Sequence, residues 1–213
     1  MSTRITLVRH GETPWNALGK WQGHAHVPLN EKGQQQATLL ADYLATSAVE
    51  IAAIYSSDLL RAQTTAEIVA ARLGKPVILD ARLREIDVGE WQGLTGEEVR
   101  AWDGERYAYI MSDPGNLARP GGESASQVGL RGISALEDML AQHQDGTVLA
   151  VTHGGTIYNI LDRLGILGGH SKIANTSLTH LQHATPENRW TLEAFALREH
   201  LDVLEVGPGN AEG

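Results

Sequence analysis

The run Thr147-Val148-Leu149-Ala150-Val151-Thr152 constrains this chain more than any other stretch. It is nearly continuous in apolar and β-branched residues, and it stops at His153-Gly154-Gly155. Such a run reads as a strand covered on both faces, which demands helices above and below it. Residues 4–8 and 51–55 are shorter runs of the same kind, residues 76–79 read as a third strand, and two more are expected near 177–181 and 190–195.

Between these runs the periodicity changes from strand to helix. Residues 31–45 place Ala37, Leu40 and Leu44 on one face. Ser56-Ser57-Asp58 carries N-cap chemistry for a helix to about Leu73, with Ala62, Ala66, Val69 and Leu73 on one stripe. Thr95-Gly96-Glu97-Glu98 and Ser124-Ala125-Ser126-Gln127 have capping-box form and open helices toward Met111 and about His143. A further helix follows His153-Gly154-Gly155 to Leu164. Residues 12–30, 82–94 and 112–122 read as loops, and 205–213 as a fraying tail. Strands alternating with helices predict a three-layer α/β/α fold with a mostly parallel central sheet. No repeat or linker divides the chain, so residues 1–213 read as a single domain.

Seventeen Lys and Arg against 26 Asp and Glu leave a formal charge of −9 and a pI near 5.4. That sign argues against a nucleic-acid binder or an anionic-membrane binder, both of which need a positive footprint. Cysteine is absent, which excludes disulfide frameworks, thiolate metal sites and Cys nucleophiles. No apolar run approaches the roughly 20 residues of a membrane span. The start is too short in its apolar part for a signal peptide, so a cytoplasmic location is expected. Without a secretory signal, the Asn175-Thr176-Ser177 acceptor pattern carries no weight.

In parallel sheets ligands bind beyond the carboxyl ends of the strands. Arg9-His10-Gly11, Ser56 to Arg61 and Thr152 to Gly155 stand at such ends, and Arg84-Glu85 follows another strand. One rim therefore collects two arginines, two histidines, a glutamate and several glycine amides, a set suited to a dianion. Each arginine can fork onto phosphate oxygens, and Arg61 falls in the first turn of its helix, where free N–H groups favour an anion. A histidine there can attack phosphorus through one ring nitrogen if a carbonyl holds the other as N–H. A second histidine, left protonated, would serve as a cationic clamp. Glu85 is the carboxylate placed to give a proton to the leaving oxygen and later to accept one from water.

Four segments carry a family resemblance. Leu7-Val8-Arg9-His10-Gly11-Glu12-Thr13 with Asn16, Gln22-Gly23, Pro28-Leu29, Gly33 and Gln36-Ala37 resembles the signature of the histidine phosphatase superfamily, the phosphoglycerate-mutase-like family. Ser56 to Thr65 resembles its second arginine segment, Leu83-Arg84-Glu85-Ile86 with Gly89 and Trp91-Gln92-Gly93 its acid segment, and Val151 to Gly155 its second histidine. The resemblance implies His10 as the phosphorylated nucleophile, Glu85 as general acid, and Arg9, Arg61 and His153 as the phosphoryl clamp. It implies Asn16, Gln22, Gly23 and Gly154 as the rest of the phosphate and substrate pocket. His26 departs from the pattern, standing where many relatives carry an acidic residue before the Pro-Leu pair.

The implied activity is metal-independent hydrolysis of small phosphorylated metabolites through a phosphohistidine, with no cofactor and no metal. A phosphoglycerate mutase and a non-catalytic phosphoryl-binding module are the rival readings. Glu85 and His153 lie 68 residues apart, short of the insertion mutases of this family usually carry there, so the phosphatase branch is favoured. That branch also includes α-ribazole-phosphate and sugar-phosphate phosphatases. A homo-oligomer is compatible with all of these. Blander readings stand beside the sharp ones: Glu85 paired with Arg82 or Arg84, Arg61 on a helix surface, and His153 as a satisfied core histidine. His24/His26 and His180/His183 lack the carboxylate spacing of a metal set. Gly122-Glu123-Ser124-Ala125-Ser126 misses the nucleophile-elbow pattern at its last residue, and no strand precedes it.

Overall fold

The computed structural model describes residues 2–169, 173–185 and 187–202. Within them six strands form one mixed sheet in the order β3-β2-β4-β1-β5-β6: β1 (Ser2–Arg9), β2 (Ile51–Ser56), β3 (Val77–Leu79), β4 (Thr147–Thr152), β5 (Leu178–Ala184) and β6 (Arg189–Leu197). β4 pairs parallel with β1 and β2, and β2 pairs parallel with β3. β5 runs antiparallel to β1, and β6 antiparallel to β5. The parallel strands therefore share one carboxyl rim, where Arg9-His10, Ser56-Ser57 and Thr152-His153 emerge side by side.

β4 sits between β1 and β2, and its period-two alternation sorts its side chains onto two cores. Val148 and Ala150 face one core with Ile5 and Leu7, while Leu149 and Val151 face the other with Val8. The first core is closed by α5 (Ala125–Gln142) and α6 (Gly154–Arg163), through Leu136, Met139, Ile157 and Ile160. The second is closed by α2 (Glu31–Thr46) and α3 (Leu60–Leu73), through Leu40, Leu44, Ala66 and Val69. Each large apolar side chain taken fully out of water contributes about 1.5–3 kcal/mol, which is why both faces of β4 are covered.

A third, smaller apolar cluster lies outside the two cores. Val88, Trp91, Val99 and Ile110 are buried together, with Trp21, Tyr107 and Met111 packed against them around α4 (Gly96–Ser112). Trp21 N donates to Leu94 O at 2.9 Å and Gly93 N to Trp21 O at 2.8 Å, so the segment after β1 is stitched to this cluster.

The structure corrects several readings. Residues 12–30 are not loop throughout: α1 (Pro14–Ala17) forms there, because Thr13 and Asn16 make a reciprocal capping box. Ser56-Ser57-Asp58 does not cap α3 directly; its N-cap is Leu59, and Ser57 Oγ instead accepts from Leu59 N at 3.2 Å. Residues 82–94 include two single 3₁₀ turns, Ala81–Leu83 (which starts one residue earlier) and Gly89–Trp91. α4 is kinked at Asp103, whose carboxylate takes Trp91 Nε1 at 2.9 Å and Arg106 Nε at 2.7 Å. The expected tail at 205–213 lies outside the described residues.

Candidate active site

β1 ends by delivering Arg9 and His10 onto the rim. His10 N donates to Thr152 O at 2.9 Å, which continues the β1–β4 ladder one residue further. The chain then turns through Gly11, where a Cβ would come 2.5 Å from Gly33 O, so the N-terminal turn of α2 packs directly on this backbone. Gly11 N donates to Thr65 Oγ1 of α3 at 3.0 Å. Three elements thus immobilise the His10 backbone.

His10 Nδ1 lies 2.7 Å from Gly11 O. A carbonyl only accepts, so Nδ1 carries the proton and Nε2 keeps its lone pair. Burial, then Arg61 and Arg9, hold the imidazole pKa well below its usual value, so the ring is neutral at neutral pH.

The arginines are set by backbone carbonyls. Arg61 is 1% exposed and donates to Gly23 O at 2.9 Å and Ala25 O at 3.0 Å. Arg9 donates to Ile173 O at 2.7 Å. Burial pulls the Arg61 pKa down to about 10 and lowers that of Arg9, yet both stay cationic at neutral pH. The buried Nε of each, and Nδ1 of the wholly buried His153, have no partner among the described residues. Unmatched buried donors of this kind are costly unless a ligand completes them.

His153 packs against His10, with ring centroids 5.1 Å apart, and its Nε2 lies 2.9 Å from Ser57 Oγ. Ser57 Oγ also accepts from Leu59 N at 3.2 Å, which ties His153 to the start of α3. Burial, then Arg61, push the His153 pKa well below its usual value. Burial thus favours the neutral ring, whereas the expected cationic clamp concerns His153 beside a phosphoryl dianion, whose charge acts in the opposite direction. It is also not a fully satisfied core histidine, since one nitrogen is spare.

Glu85 is paired with neither Arg82 nor Arg84. Arg84 pairs with Asp58 at 2.7 Å, and Arg82 with Asp80 and Asp138, each at 2.7 Å. Glu85 Oε1 instead accepts from Ile86 N at 2.9 Å and Oε2 from Gly155 N at 3.2 Å. A Cβ on Gly155 would sit 2.5 Å from Glu85 Oε1, so the carboxylate approaches α6 only because that residue is glycine.

These groups border a cavity of about 370 Å³. Arg9, His10, Asn16, Gln22, Gly23, Arg61 and Glu85 line it, as the sequence led one to expect. His153 and Gly154 are not in its wall: His153 stands behind His10, and Gly154 lies against the Arg9 side chain. Asn16 and Gln22 are held through Thr13, whose Oγ1 donates to Gln22 Oε1 at 3.0 Å.

The pattern of the histidine phosphatase superfamily (branch 1) matches residues 5–197. This chain belongs to that superfamily. Phosphoglycerate mutase-like protein 4 of Arabidopsis thaliana is 38% identical over 201 residues, covering 93% of this chain and 86% of that protein. A metal-independent phosphoserine phosphatase of the same plant is 36% identical over 206 residues, covering 95% and 84%. The solved structure of Bacillus stearothermophilus YhfR superposes with a TM-score of 0.84 at 34% identity, covering 93% of this chain and 99% of that one.

In this histidine phosphatase, several pocket residues went unforeseen. Lys20, Met111 and Arg119 line the cavity, and Gly155 rather than Gly154 presents its amide to Glu85. Asn175, set aside as part of a glycosylation pattern, donates to His10 O at 2.9 Å. Its neighbour Thr176 is fully buried. The candidate metal histidines have other partners: His24 Nε2 contacts Glu85 O at 2.9 Å, His180 Nδ1 contacts Thr6 Oγ1 at 2.9 Å, and His183 Nε2 contacts Asn188 Oδ1 at 3.0 Å. His26 is exposed.

Proposed function

We propose that this chain is a metal-independent phosphomonoesterase that passes the phosphoryl group of a small phosphorylated metabolite first to His10 and then to water. The observation that carries the reading is the His10 ring, neutral and held by Nδ1–H to Gly11 O at 2.7 Å, so that Nε2 is the nitrogen free to attack. Arg9 and Arg61 supply donors for the phosphoryl oxygens, with His153, whose Nδ1 has no partner among the described residues, behind His10.

In the first step His10 Nε2 forms a bond to phosphorus as the ester P–O bond breaks, and Glu85 gives its proton to the leaving alcohol. In the second step a water oxygen attacks phosphorus, the P–N bond breaks, and Glu85 takes the proton from water. Inorganic phosphate and the alcohol are the products. The clamp supplies the positive charge that a metal ion supplies in other phosphoryl transfers. The phosphatase name of a relative covering most of this chain supports water as acceptor.

Substrate labelled at phosphorus should leave an acid-labile, base-stable label on the protein. His10→Ala should abolish label and turnover while the thermal midpoint is kept, and hydrolysis should persist in excess EDTA. Near-normal turnover by His10→Ala, or loss of activity on chelation, would overturn the mechanism. Interconversion of 3- and 2-phosphoglycerate faster than phosphate release would make the chain a mutase, and binding without turnover a phosphoryl-binding module.

A further inference from the structure

β5 runs antiparallel to β1, so it begins at the rim where the parallel strands end, and the turn before it lies beside His10. Residues 173–177 hold the nucleophile segment at four points. Ile173 O takes the Arg9 guanidinium at 2.7 Å, and Ser177 O takes Arg9 N at 3.3 Å. Thr176 N donates to Arg9 O at 2.9 Å, and Asn175 Nδ2 donates to His10 O at 2.9 Å. Thr176, β-branched and wholly buried, has a φ of 55°. A strained residue of this kind persists only where its surroundings over-determine it. Here its Oγ1 donates to Asn175 O at 2.8 Å and meets His200 Nε2 at 3.1 Å. The turn that presents Asn175 to His10 is therefore held in shape against a backbone cost.

The Asn175 amide joins two parts of the site. His10 O only accepts, so the atom facing it is Nδ2, which also reaches Asn16 Oδ1 at 3.4 Å. Thr13 N, which only donates, meets the same Asn16 oxygen at 3.2 Å. The Asn16 amide is thereby fixed in orientation, and its Nδ2 is the end left for a ligand in the cavity that Asn16 lines. The His10–Gly11 peptide is gripped at both poles, by Asn175 at the carbonyl and by Thr65 Oγ1 at Gly11 N. Thr65 Oγ1 donates in turn to Arg61 O at 2.7 Å. We propose that Asn175 is a positioning residue for the phosphoryl transfer, holding the His10 main chain and the Asn16 amide in one register so that Nε2 meets phosphorus in line. The inference rests on the phosphatase reading and adds a residue that stands outside the cavity wall. Attack in line tolerates little displacement, and a shift of about 1 Å can cost about 100-fold in rate. Phosphate affinity depends on other anchors, among them the Gly23 and Ala25 carbonyls that hold Arg61. Loss of the Asn175 donor therefore falls on formation of the P–N bond.

The test compares the unaltered chain with Asn175→Leu, close to the same shape without the donor, and with Asn175→Ala. With enzyme in excess over phosphorus-labelled substrate, rapid quench reads how fast label reaches His10. Both variants should be phosphorylated roughly 10–100-fold more slowly. The factor should be the same for glycerol 3-phosphate and p-nitrophenyl phosphate, because placement of the nucleophile does not depend on the leaving group. The inhibition constant of inorganic phosphate should change far less than the rate. A merely structural role would lower the labelled fraction at an unchanged rate. That result, an undiminished rate, a loss confined to the alkyl substrate, or phosphate affinity falling as far as the rate would overturn the positioning role. If neither variant folds, NMR of the unaltered chain decides. An Asn175 Nδ2 proton should exchange slowly with water and shift when vanadate is bound, and exchange as fast as that of a free amide would overturn the role. Failure to label His10 in the unaltered chain removes the phosphatase reading and this role with it. A labelled chain with unimpaired Asn175 variants removes the role alone.

Discussion

Two backbone amides, Ile86 N and Gly155 N, hold the Glu85 carboxylate at the wall of the cavity. A group so placed matters in proportion to how badly the leaving oxygen needs a proton. An alkoxide leaving from a sugar or glycerate needs one as the P–O bond breaks, whereas nitrophenolate leaves almost unaided. Glu85→Gln keeps the shape and removes the acid. In rapid-quench bursts it should slow phosphorylation of His10 by alkyl phosphates by roughly 10²–10⁴-fold and by p-nitrophenyl phosphate far less. Breakdown of the phosphoenzyme should slow for both substrates, since Glu85 is then the base. Equal burst losses would remove Glu85 from the acid role.

The segment that carries Glu85 contains only short 3₁₀ turns, and its shape is imposed by α5. Arg131 donates to Arg82 O at 2.7 Å, Arg84 O at 2.6 Å and Glu85 O at 2.9 Å, and pairs with Glu123 at 2.9 Å. Glu123 in turn takes Asp87 N at 2.9 Å. One guanidinium thus fastens three carbonyls, a task for its planar fork that a lysine ammonium performs poorly. Arg131→Met leaves those carbonyls and a partly buried carboxylate unmatched. It should cost about 2 kcal/mol, below the usual cost of breaking a buried pair because this one is partly solvated. Urea unfolding at constant m-value measures this, and kcat should fall with it as Glu85 loses its support. Arg131→Lys should recover only part of either loss. A change in stability under 0.5 kcal/mol (about the scatter of ordinary surface substitutions) would refute the bracing role.

Across the whole molecule, folding removes several histidines from water as neutral rings. His10 and His153 are held well below the ordinary histidine pKa, and burial takes His200 down to about 4. A depressed folded pKa means that below pH 6.5 the unfolded chain takes up protons that the folded chain refuses. Stability is therefore complete above that pH and lost as pH falls. For His10 and His153 the slope approaches about 1.4 kcal/mol per pH unit each. The carboxylates of Glu12, Asp58 and Asp80, lowered in the fold, add a loss of the same sign at lower pH. Thermal midpoints should be level from pH 8 to pH 7 and drop steeply between pH 6.5 and pH 4.5. A flat profile over that range would show that these rings are not buried neutral. Among the described residues, no helix is long and apolar enough to cross a membrane.

Local rules accounted for the elements with the strongest patterns. The alternation in β4, the stripes on α2 and α3, and the capping boxes of α4 and α5 depend on neighbours within a few residues, and each appears as the sequence led one to expect. The rim was legible for the same reason: parallel strands must end together, so Arg9, His10, Ser57 and His153 had to meet. Other features depend on contacts between residues far apart in the chain. Arg119 stands in what reads as a plain Pro-Gly turn, Asn175 reaches His10 O across 165 residues, and Ser57 meets His153 across 96. The shifts of the buried histidines were not legible either, because burial, a property of the packed chain, bears on whether an imidazole keeps its proton. Sequence alone determined which groups were available and which strand ends they occupied. Tertiary packing decided their protonation, their partners and the wall around them, because desolvation and hydrogen bonding to distant backbone exist only once the layers have closed.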